Sequence, residues 1–135
     1  MWNNIFKPMD LLQKGLSASW TRSAVIRNNI ANVETPGFKA SDVEFETILA
    51  RSFQQGGFVG AKTHPGHRDI GSGNIKSIEP RIVRRNNTAM RMDGNNVDIE
   101  DENVKLAQNS LYYNTVTEKL NSELRRLRAA ISEGR

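Results

Sequence analysis

The fold of this chain is decided by a long heptad repeat near its end. Residues 97–131 read VDIEDENVKLAQNSLYYNTVTEKLNSELRRLRAAI. One set of positions is spaced by seven residues, and each member of a second set comes four residues after one of the last four members of the first. The two sets are Ile99, Leu106, Tyr113, Leu120 and Leu127, and Ser110, Thr117, Leu124 and Ile131. This spacing is typical of a helix with an apolar stripe. Acidic residues in the first turns and arginines in the last turns complement the helix dipole, so we predict a C-terminal helix over residues 96–131.

A similar stripe occupies the first third of the chain. Between Asp10 and Val33, Leu12, Ser19, Ile26 and Val33 are spaced by seven and are interleaved with Leu16, Ser23 and Ile30. Asp10 is a residue type that caps helix N-termini. Pro36-Gly37 is typical of a turn, and the proline disfavours helical backbone at Thr35. We therefore predict an N-terminal helix over residues 9–35.

These two helices do not supply a complete core by themselves. Both stripes are diluted with Ser, Thr and Asn, and each helix carries a second seven-spaced apolar set on a neighbouring face. The additional sets are Leu11, Ala18 and Val25 on the first helix, and Val97, Val104 and Leu111 on the second. Burial is worth roughly 25 cal/mol per Å² of apolar surface, and one partner helix cannot cover both faces. We expect other subunits to complete the packing.

Length and composition narrow the classes of protein. The chain has 135 residues, a net charge of +4 and no cysteine, which predicts a single domain over residues 1–135 without disulfides or thiolate metal sites. The apolar runs are shorter than the roughly 18 residues of a membrane span. Residues 1–10, MWNNIFKPMD, are too polar for a signal peptide. If the protein works outside the cytoplasm, we expect export without signal cleavage.

Between the helices we predict a loop and hairpin insert over residues 36–92. Six of the ten glycines lie between Gly56 and Gly73, in a stretch without periodicity that indicates a flexible loop. Residues 81–85 and 88–92 flank Asn86-Asn87, which tolerates the positive φ of a two-residue hairpin turn. The expected fold is mostly α: long terminal helices pack as a coiled-coil-like pair, joined by a flexible Gly-rich loop and a small β-hairpin.

Two stretches of the chain resemble a known family. The first is NNIANVETPGFK, residues 28–39, followed by SDVEF at 41–45. It resembles the motif that ends the N-terminal helix of bacterial flagellar axial proteins, the rod and hook family. The second is DGNNVDIEDENVKLAQNSLYYN, residues 93–114. This stretch, in which GNNVD leads directly into the terminal helix, resembles the proximal rod members of that family.

The resemblance implies a structural subunit of the proximal rod of the flagellar basal body. Proteins of this family are exported by the flagellar type III apparatus without cleavage, assemble into the rod that crosses the periplasm, and transmit torque through packed terminal helices. The implied partners are other copies of the chain, the rod proteins FlgC, FlgF and FlgG, the rod-base protein FliE and the export apparatus. Contacts between unlike surfaces of neighbouring subunits build an open helical assembly.

The expected subunit interface follows the two stripes and the amides near the end of the first helix. Asn is a poor helix former, so Asn28, Asn29 and Asn32 suggest hydrogen bonds to the backbone of a neighbouring subunit. Fraying of the helix before Thr35-Pro36 accounts for these amides about as well. The full set is Leu12, Leu16, Ile26, Asn28, Asn29, Ile30, Asn32, Val33, Leu106, Tyr113, Leu120, Leu124, Leu127 and Ile131.

The alternative function is a small basic adaptor or nucleic-acid-binding module. Residues 76–91 hold five basic residues and one acidic residue, Glu79. The net charge of this segment is therefore +4, which equals the net charge of the whole chain. However, aromatic residues for base stacking are absent from this segment, and it resembles no known nucleic-acid module. Phosphate binding would weaken steeply with salt, whereas assembly through apolar helix faces would not. We therefore favour a protein that binds no nucleic acid.

Catalytic and metal chemistry have little support in the sequence. His64 and His67 lie near Asp69, but a Gly-rich loop does not fix metal ligands in place. The serines stand in no recognisable motif with a histidine. We predict neither an enzyme nor a bound cofactor or metal.

Overall fold

The computed structural model describes residues 2–55, 78–86 and 91–133. Its elements are the helix α1 (Trp2–Ala31), the strand β1 (Ser41–Glu44), the helix α2 (Glu46–Gln55), the strand β2 (Arg81–Arg84) and the helix α3 (Ile99–Glu133). The two long helices run antiparallel, since Ser19 contacts Asn109 and Asn29 contacts Glu102. The prediction of a mostly α fold with paired terminal helices and a small sheet between them is confirmed.

Small side chains let α1 and α3 approach closely. Ala18 and Ser19 are almost completely buried, and a Cβ added at Gly15 would lie 3.4 Å from the hydroxyl oxygen of Tyr112. Side chains of this size bring the two backbones together, which places Val116 in the space between the helices. The packing of α3 against α1 is therefore set by small residues near the middle of α1.

Both terminal helices differ from their predicted bounds. The helix α1 begins at Trp2 rather than at residue 9, so Asp10 lies within the helix and does not cap it. Pro8 also lies within the helix. The helix α1 also ends at Ala31, four residues before the predicted end. The helix α3 begins at Ile99, where the Asp98 carboxylate caps it by accepting from the Glu100 amide at 2.9 Å.

The pairing of β2 corrects the predicted hairpin. Its antiparallel partner is β1, with Ser41 opposite Arg84 and Val43 opposite Ile82. Within the described residues, 91 and 92 lie in a bend and turn rather than in a second hairpin strand, and 87–90 lie outside the described residues. A local turn signal was outweighed by a longer-range contact, because Val43 is buried and anchors β1 against the helices.

The helix α2 was not predicted within the insert. Phe45, Ile48 and Leu49 are spaced to lie on one face of a helix, and they pack in a small cluster with Ala18 and Ile78. The predicted Gly-rich loop, Gly56 to Gly73, lies outside the described residues. In the part of the chain that is described, no helix combines the length and apolar character of a membrane span.

Candidate functional site

The turn that follows α1 and the turn that precedes α3 lie against each other. Gly37 has a φ of 70° and Gly94 a φ of 81°, conformations that residues with a side chain rarely adopt. The Gly37 amide donates to the Asp93 carbonyl at 2.9 Å. A Cβ on Gly94 would lie 3.8 Å from Gly37 Cα. We call residues 28–42, 85 and 91–105 the junction, and it brings together the two stretches that resemble the flagellar family.

Asn95 caps the end of α1 from across the junction. Its fully buried side-chain nitrogen donates to the carbonyls of Asn32 at 3.0 Å, Val33 at 3.0 Å and Thr35 at 2.9 Å. Its side-chain oxygen accepts from the Val97 amide at 2.7 Å. Helix ends leave carbonyls without an intrahelical partner, and α1 has no basic residue in its last turn. One side chain thus adds a second donor to three carbonyls of the turn that follows α1.

Asn96 joins the two strands to the start of α3. Its side-chain oxygen accepts from the Ala40 amide at 2.7 Å, and its side-chain nitrogen donates to the Arg85 carbonyl at 2.7 Å. The buried amide therefore lies between the beginning of β1 and the end of β2. The Asn-Asn pair fixes the positions of α1, the sheet and α3 relative to one another.

A buried carboxylate lies beside this pair. Glu102 is fully buried and accepts from Asn29 at 2.9 Å, Arg85 at 2.6 Å and Lys105 at 3.2 Å. Arg85 Nε also forms an ion pair with Asp42 Oδ2 at 2.9 Å, without hydrogen-bond alignment. A buried charge is costly unless it is paired in this way.

Lys105 is held in its charged form by this cluster. Burial alone would disfavour the ammonium group, but hydrogen bonds to Asp101 and Glu102 outweigh that effect and raise the pKa of Lys105 above its ordinary value. Its nitrogen lies 2.7 Å from Asp101 Oδ2, four residues earlier on the same helix. The cluster therefore keeps its cation across the physiological pH range.

The side chain of Asn29 is bonded within its own chain, and its expected role in a subunit contact stays a prediction. Its side chain is 1% exposed and donates to the Ser41 carbonyl at 2.8 Å and to Glu102, while its oxygen accepts from the Ser41 amide at 3.0 Å. This amide completes the outer edge of β1 within its own chain. The partners of Asn29 are distant in sequence but lie in the same molecule.

The other two amides differ from Asn29. Asn32 donates to the Asn28 carbonyl at 2.8 Å and accepts from the Thr35 hydroxyl at 3.2 Å, which organises the end of α1. The Asn28 side chain is exposed. The role of both residues in a subunit contact stays a prediction.

The predicted apolar positions fall into three groups of exposure. Ile26 is buried between the helices. Those that are half-buried are Leu12, Leu16, Ile30, Val33, Leu106, Leu120 and Leu127. Tyr113, Leu124 and Ile131 are exposed. Ile131, near the end of α3, is 75% exposed, the most of the predicted apolar set.

A second set of exposed apolar residues lies outside the predicted interface. Trp20 is 70% and Leu111 is 69% exposed, and Val104 is exposed one heptad before Leu111. Leu111 and Val104 belong to the second seven-spaced set of α3, which is the signal that identifies them. Trp20 lines a groove of about 240 Å³ with Tyr113 and Arg27.

The last turns of α3 form a larger groove, which we call the distal groove. It has a volume of about 600 Å³ and is lined by Asn121, Leu124, Arg125, Leu127, Arg128, Ile131 and Ser132. Among the described residues, neither Arg125 nor Arg128 forms an ion pair. The groove combines an apolar floor with two cationic groups.

The basic segment is partly used within the chain. Arg85 pairs with Glu102 and Asp42, and Arg91 donates to the Val33 carbonyl at 3.1 Å and to Glu34 at 3.4 Å. Two of the five cations that suggested an anionic partner therefore hold the junction together. His64 and His67 lie outside the described residues, within which no group of acidic and histidine side chains is arranged to hold a metal ion.

Comparisons with known proteins agree with the two motifs. A family profile described as "Flagella basal body rod protein" matches residues 9–39. The chain is 32% identical to the flagellar basal body rod protein FlgB of Bacillus subtilis over 124 residues, covering 92% of each protein. It is 35% identical to FlgB of Aeromonas hydrophila, covering 93% of this chain and 92% of the relative. It is 32% identical to FlgB of Borreliella burgdorferi, covering 85% and 88%.

Proposed function

Because the chain belongs to the FlgB family of flagellar basal body rod proteins, we propose that it is a subunit of the proximal rod. In this proposal residues 1–135 act as one rod-subunit domain that polymerises through its terminal helices. The resulting helical assembly transmits torque by packed helices and not by chemistry. The relatives are named as structural rod proteins, so the prediction that the chain is not an enzyme is confirmed.

The observation that supports polymerisation is the exposure of large apolar side chains on two different faces of α3. Val104, Leu111, Leu124 and Ile131 are each about half exposed or more, although they lie on a helix that already has a partner. Val104 and Leu111 lie one heptad apart on one face, and Leu124 and Ile131 lie one heptad apart on another. Large apolar side chains exposed together mark interaction surfaces. Burying them against other subunits would supply the apolar contacts that the chain does not make alone.

The proposed partners are other copies of the chain, FlgC, FlgF, FlgG and FliE. We propose that the protein reaches its place in the rod, in the periplasmic space, through the flagellar type III export apparatus and without cleavage. In this account the expected interface residues that are exposed or half-buried, together with Leu111, Val104 and Trp20, contact neighbouring subunits. Asn29 and Ile26 act within the chain.

The proposal is tested by replacing Leu124 and Ile131 with aspartate. Both side chains are exposed, so the free energy of unfolding should change by less than about 0.5 kcal/mol. In a flagellated host whose own copy is replaced by L124D/I131D, we expect the protein to be produced while rods and swimming are lost. Arg126→Asp, on an exposed residue of the same helix, serves as the matched control.

Normal rods and swimming with L124D/I131D would contradict the proposed assembly surface. Failure of the unaltered chain to enter isolated rods would contradict the rod function itself. The nucleic-acid alternative predicts a different result, namely binding to DNA or RNA that weakens steeply with salt.

A further inference from the structure

The two edges of the small sheet are treated differently by the chain. On the outer side of β1, the amide and the carbonyl of Ser41 both bond to the side chain of Asn29. Further along the same side, the Val43 carbonyl accepts from Arg22 at 3.5 Å. Both of these side chains belong to α1. The outer edge of β1 is therefore occupied by the chain's own helix.

The outer side of β2 presents backbone groups that the chain does not use. The Arg85 amide donates to the Ala40 carbonyl at 2.8 Å, toward β1. Successive residues of a strand direct their amide and carbonyl groups to opposite sides, so those of Ile82 and Arg84 point away from β1. Within the described part of the chain, the sheet has two strands and no hydrogen bond reaches these groups. We call this outer side of β2 the free edge.

The side chains beside the free edge are basic and apolar. Arg81 and Arg84 are exposed, and neither forms an ion pair with the described residues. Between them lie Ile82, which is 56% exposed, and Val83, which is half-buried. Because side chains alternate along a strand, Ile82 and Arg84 share one face and Arg81 and Val83 share the other. Each face thus offers one apolar group and one guanidinium.

A second copy of the chain does not complement the free edge. Two free edges pair antiparallel through all their available groups when Ile82 of one copy lies opposite Arg84 of the other. This register places Arg81 of each copy opposite Arg85 of the other, and like charges directly opposite each other are destabilising. Charged side chains on an edge strand are a common means of preventing self-pairing. The arginines therefore disfavour an identical partner.

We propose that the free edge binds an extended acidic segment of a different protein, which adds a third strand antiparallel to β2. The segment presents carboxylates opposite Arg81 and Arg84 and apolar side chains opposite Ile82 and Val83. Its pattern, read along the chain, is acidic, apolar, apolar, acidic, which does not occur in residues 1–135. Backbone hydrogen bonds supply affinity and the side chains supply specificity. This contact goes beyond the proposed polymerisation, which uses the terminal helices and not the sheet.

A synthetic peptide tests the charge preference. Fluorescence anisotropy measures binding of labelled STEVVETS to the full chain, and STKVVKTS should bind roughly tenfold more weakly, because two attractive cross-strand pairs become repulsive. R81E/R84E should reverse this preference. R51E/R126E changes the net charge by the same amount at exposed positions on other elements and should preserve it. Circular dichroism of both variants reports that the helices are retained.

Methylated peptides test the backbone contact without changing the protein. In the antiparallel register the second valine of STEVVETS lies opposite Ile82 and donates its amide to the free edge. Methylating that nitrogen should weaken binding about fivefold, as expected for the loss of one hydrogen bond. The first valine lies opposite Val83 and its amide points away from β2, so the same methylation there is the matched control and should have little effect.

Several results would overturn the proposed contact. Equal binding of the acidic and basic peptides would remove the charge selection, and equal losses from the two methylations would remove the added strand. Absence of binding with protein at about 1 mM would remove the contact altogether. Dimers of the unaltered chain that STEVVETS dissociates would show a second copy as the occupant instead. Entry of the unaltered chain into isolated rods, measured separately, reports on the proposed rod function alone.

Discussion

At the junction, the side chain of Asn95 donates three hydrogen bonds to the turn that follows α1. Among the described residues beyond Val116, in contrast, the side-chain hydrogen bonds stay within α3. The junction also buries Glu102 and Asn29 together. In contrast, residues 117–132, which we call the distal half of α3, expose Leu124 and Ile131. The buried polar side chains of the junction are bonded within their own chain, whereas the distal half leaves large apolar side chains exposed.

This difference separates stability from assembly. Polar groups that are buried and fully bonded specify one arrangement, because any other leaves them without partners. Exposed apolar groups contribute little to the isolated molecule but become buried on association. Changes at the junction should therefore lower the free energy of unfolding, while changes in the distal half should act on assembly.

The largest loss of stability is expected from Asn95→Ala. The Val97 amide loses its acceptor, and the carbonyls of the turn after α1 lose one of their two donors, at a site where Asn95 itself is fully buried. We expect the free energy of unfolding to fall by about 3 kcal/mol, measured by urea denaturation monitored by circular dichroism. Asn103→Ala, an exposed residue of α3, is the control and should change it by less than about 0.5 kcal/mol. Equal effects of the two variants would refute the special role of Asn95.

The next largest effect is expected from Glu102→Gln. The substitution keeps the size of the side chain but removes the charge that Arg85 and Lys105 approach. Both cations are about one-third exposed and retain Asp42 or Asp101 as a partner, so the loss should be about 2 kcal/mol rather than that of a fully isolated charge. Glu118 is an exposed acidic residue nearer the end of α3 and provides the control. Glu118→Gln should leave the free energy of unfolding nearly unchanged.

The smallest effect is expected at the pair of Arg22 and Glu46. Burial would raise the pKa of Glu46, but hydrogen bonds from Arg22, one of 2.7 Å, outweigh it and lower the pKa below its ordinary value of 4.5. A lowered pKa in the folded state contributes stability above pH 4.5 that is lost as the pH falls through the folded value. Because the Glu46 side chain is more than half exposed, the contribution should stay below about 1 kcal/mol.

A comparison of the unaltered chain with Glu46→Gln over a pH series checks this. The unaltered chain should be the more stable at pH 7, and the two should converge below pH 4. A difference that is constant over the whole range would show that the effect does not come from ionisation of Glu46.

The sequence predicted the helices better than the contacts between them. Heptad spacing identified α1 and α3 because burial on one face imposes that period. The bounds were less accurate: neither the start at Trp2 nor the capping by Asp98 follows from periodicity alone. The pairing of β2 with β1 was not predicted, because a two-residue turn is a local signal and these strands are separated by 36 intervening residues.

The candidate site was predicted where its signal is local in sequence, and missed where it depends on contacts between distant residues. Leu124 and Ile131 followed from the stripe, and their exposure agrees with a surface left open for partners. Asn29 was singled out by its residue type, but its partners, Ser41 and Glu102, are distant in sequence. Asn95 and Asn96 read as an ordinary turn before a helix, since nothing local shows that their side chains reach α1 and the sheet.

The contrast between the junction and the distal half is tested most directly by hydrogen–deuterium exchange of the amides of α3, in the free chain and in the assembled rod. Our account predicts that residues 102–116 are protected in both states, while residues 117–132 exchange rapidly in the free chain and become protected on assembly. Equal protection along the whole of α3 in the free chain, unchanged by assembly, would contradict it.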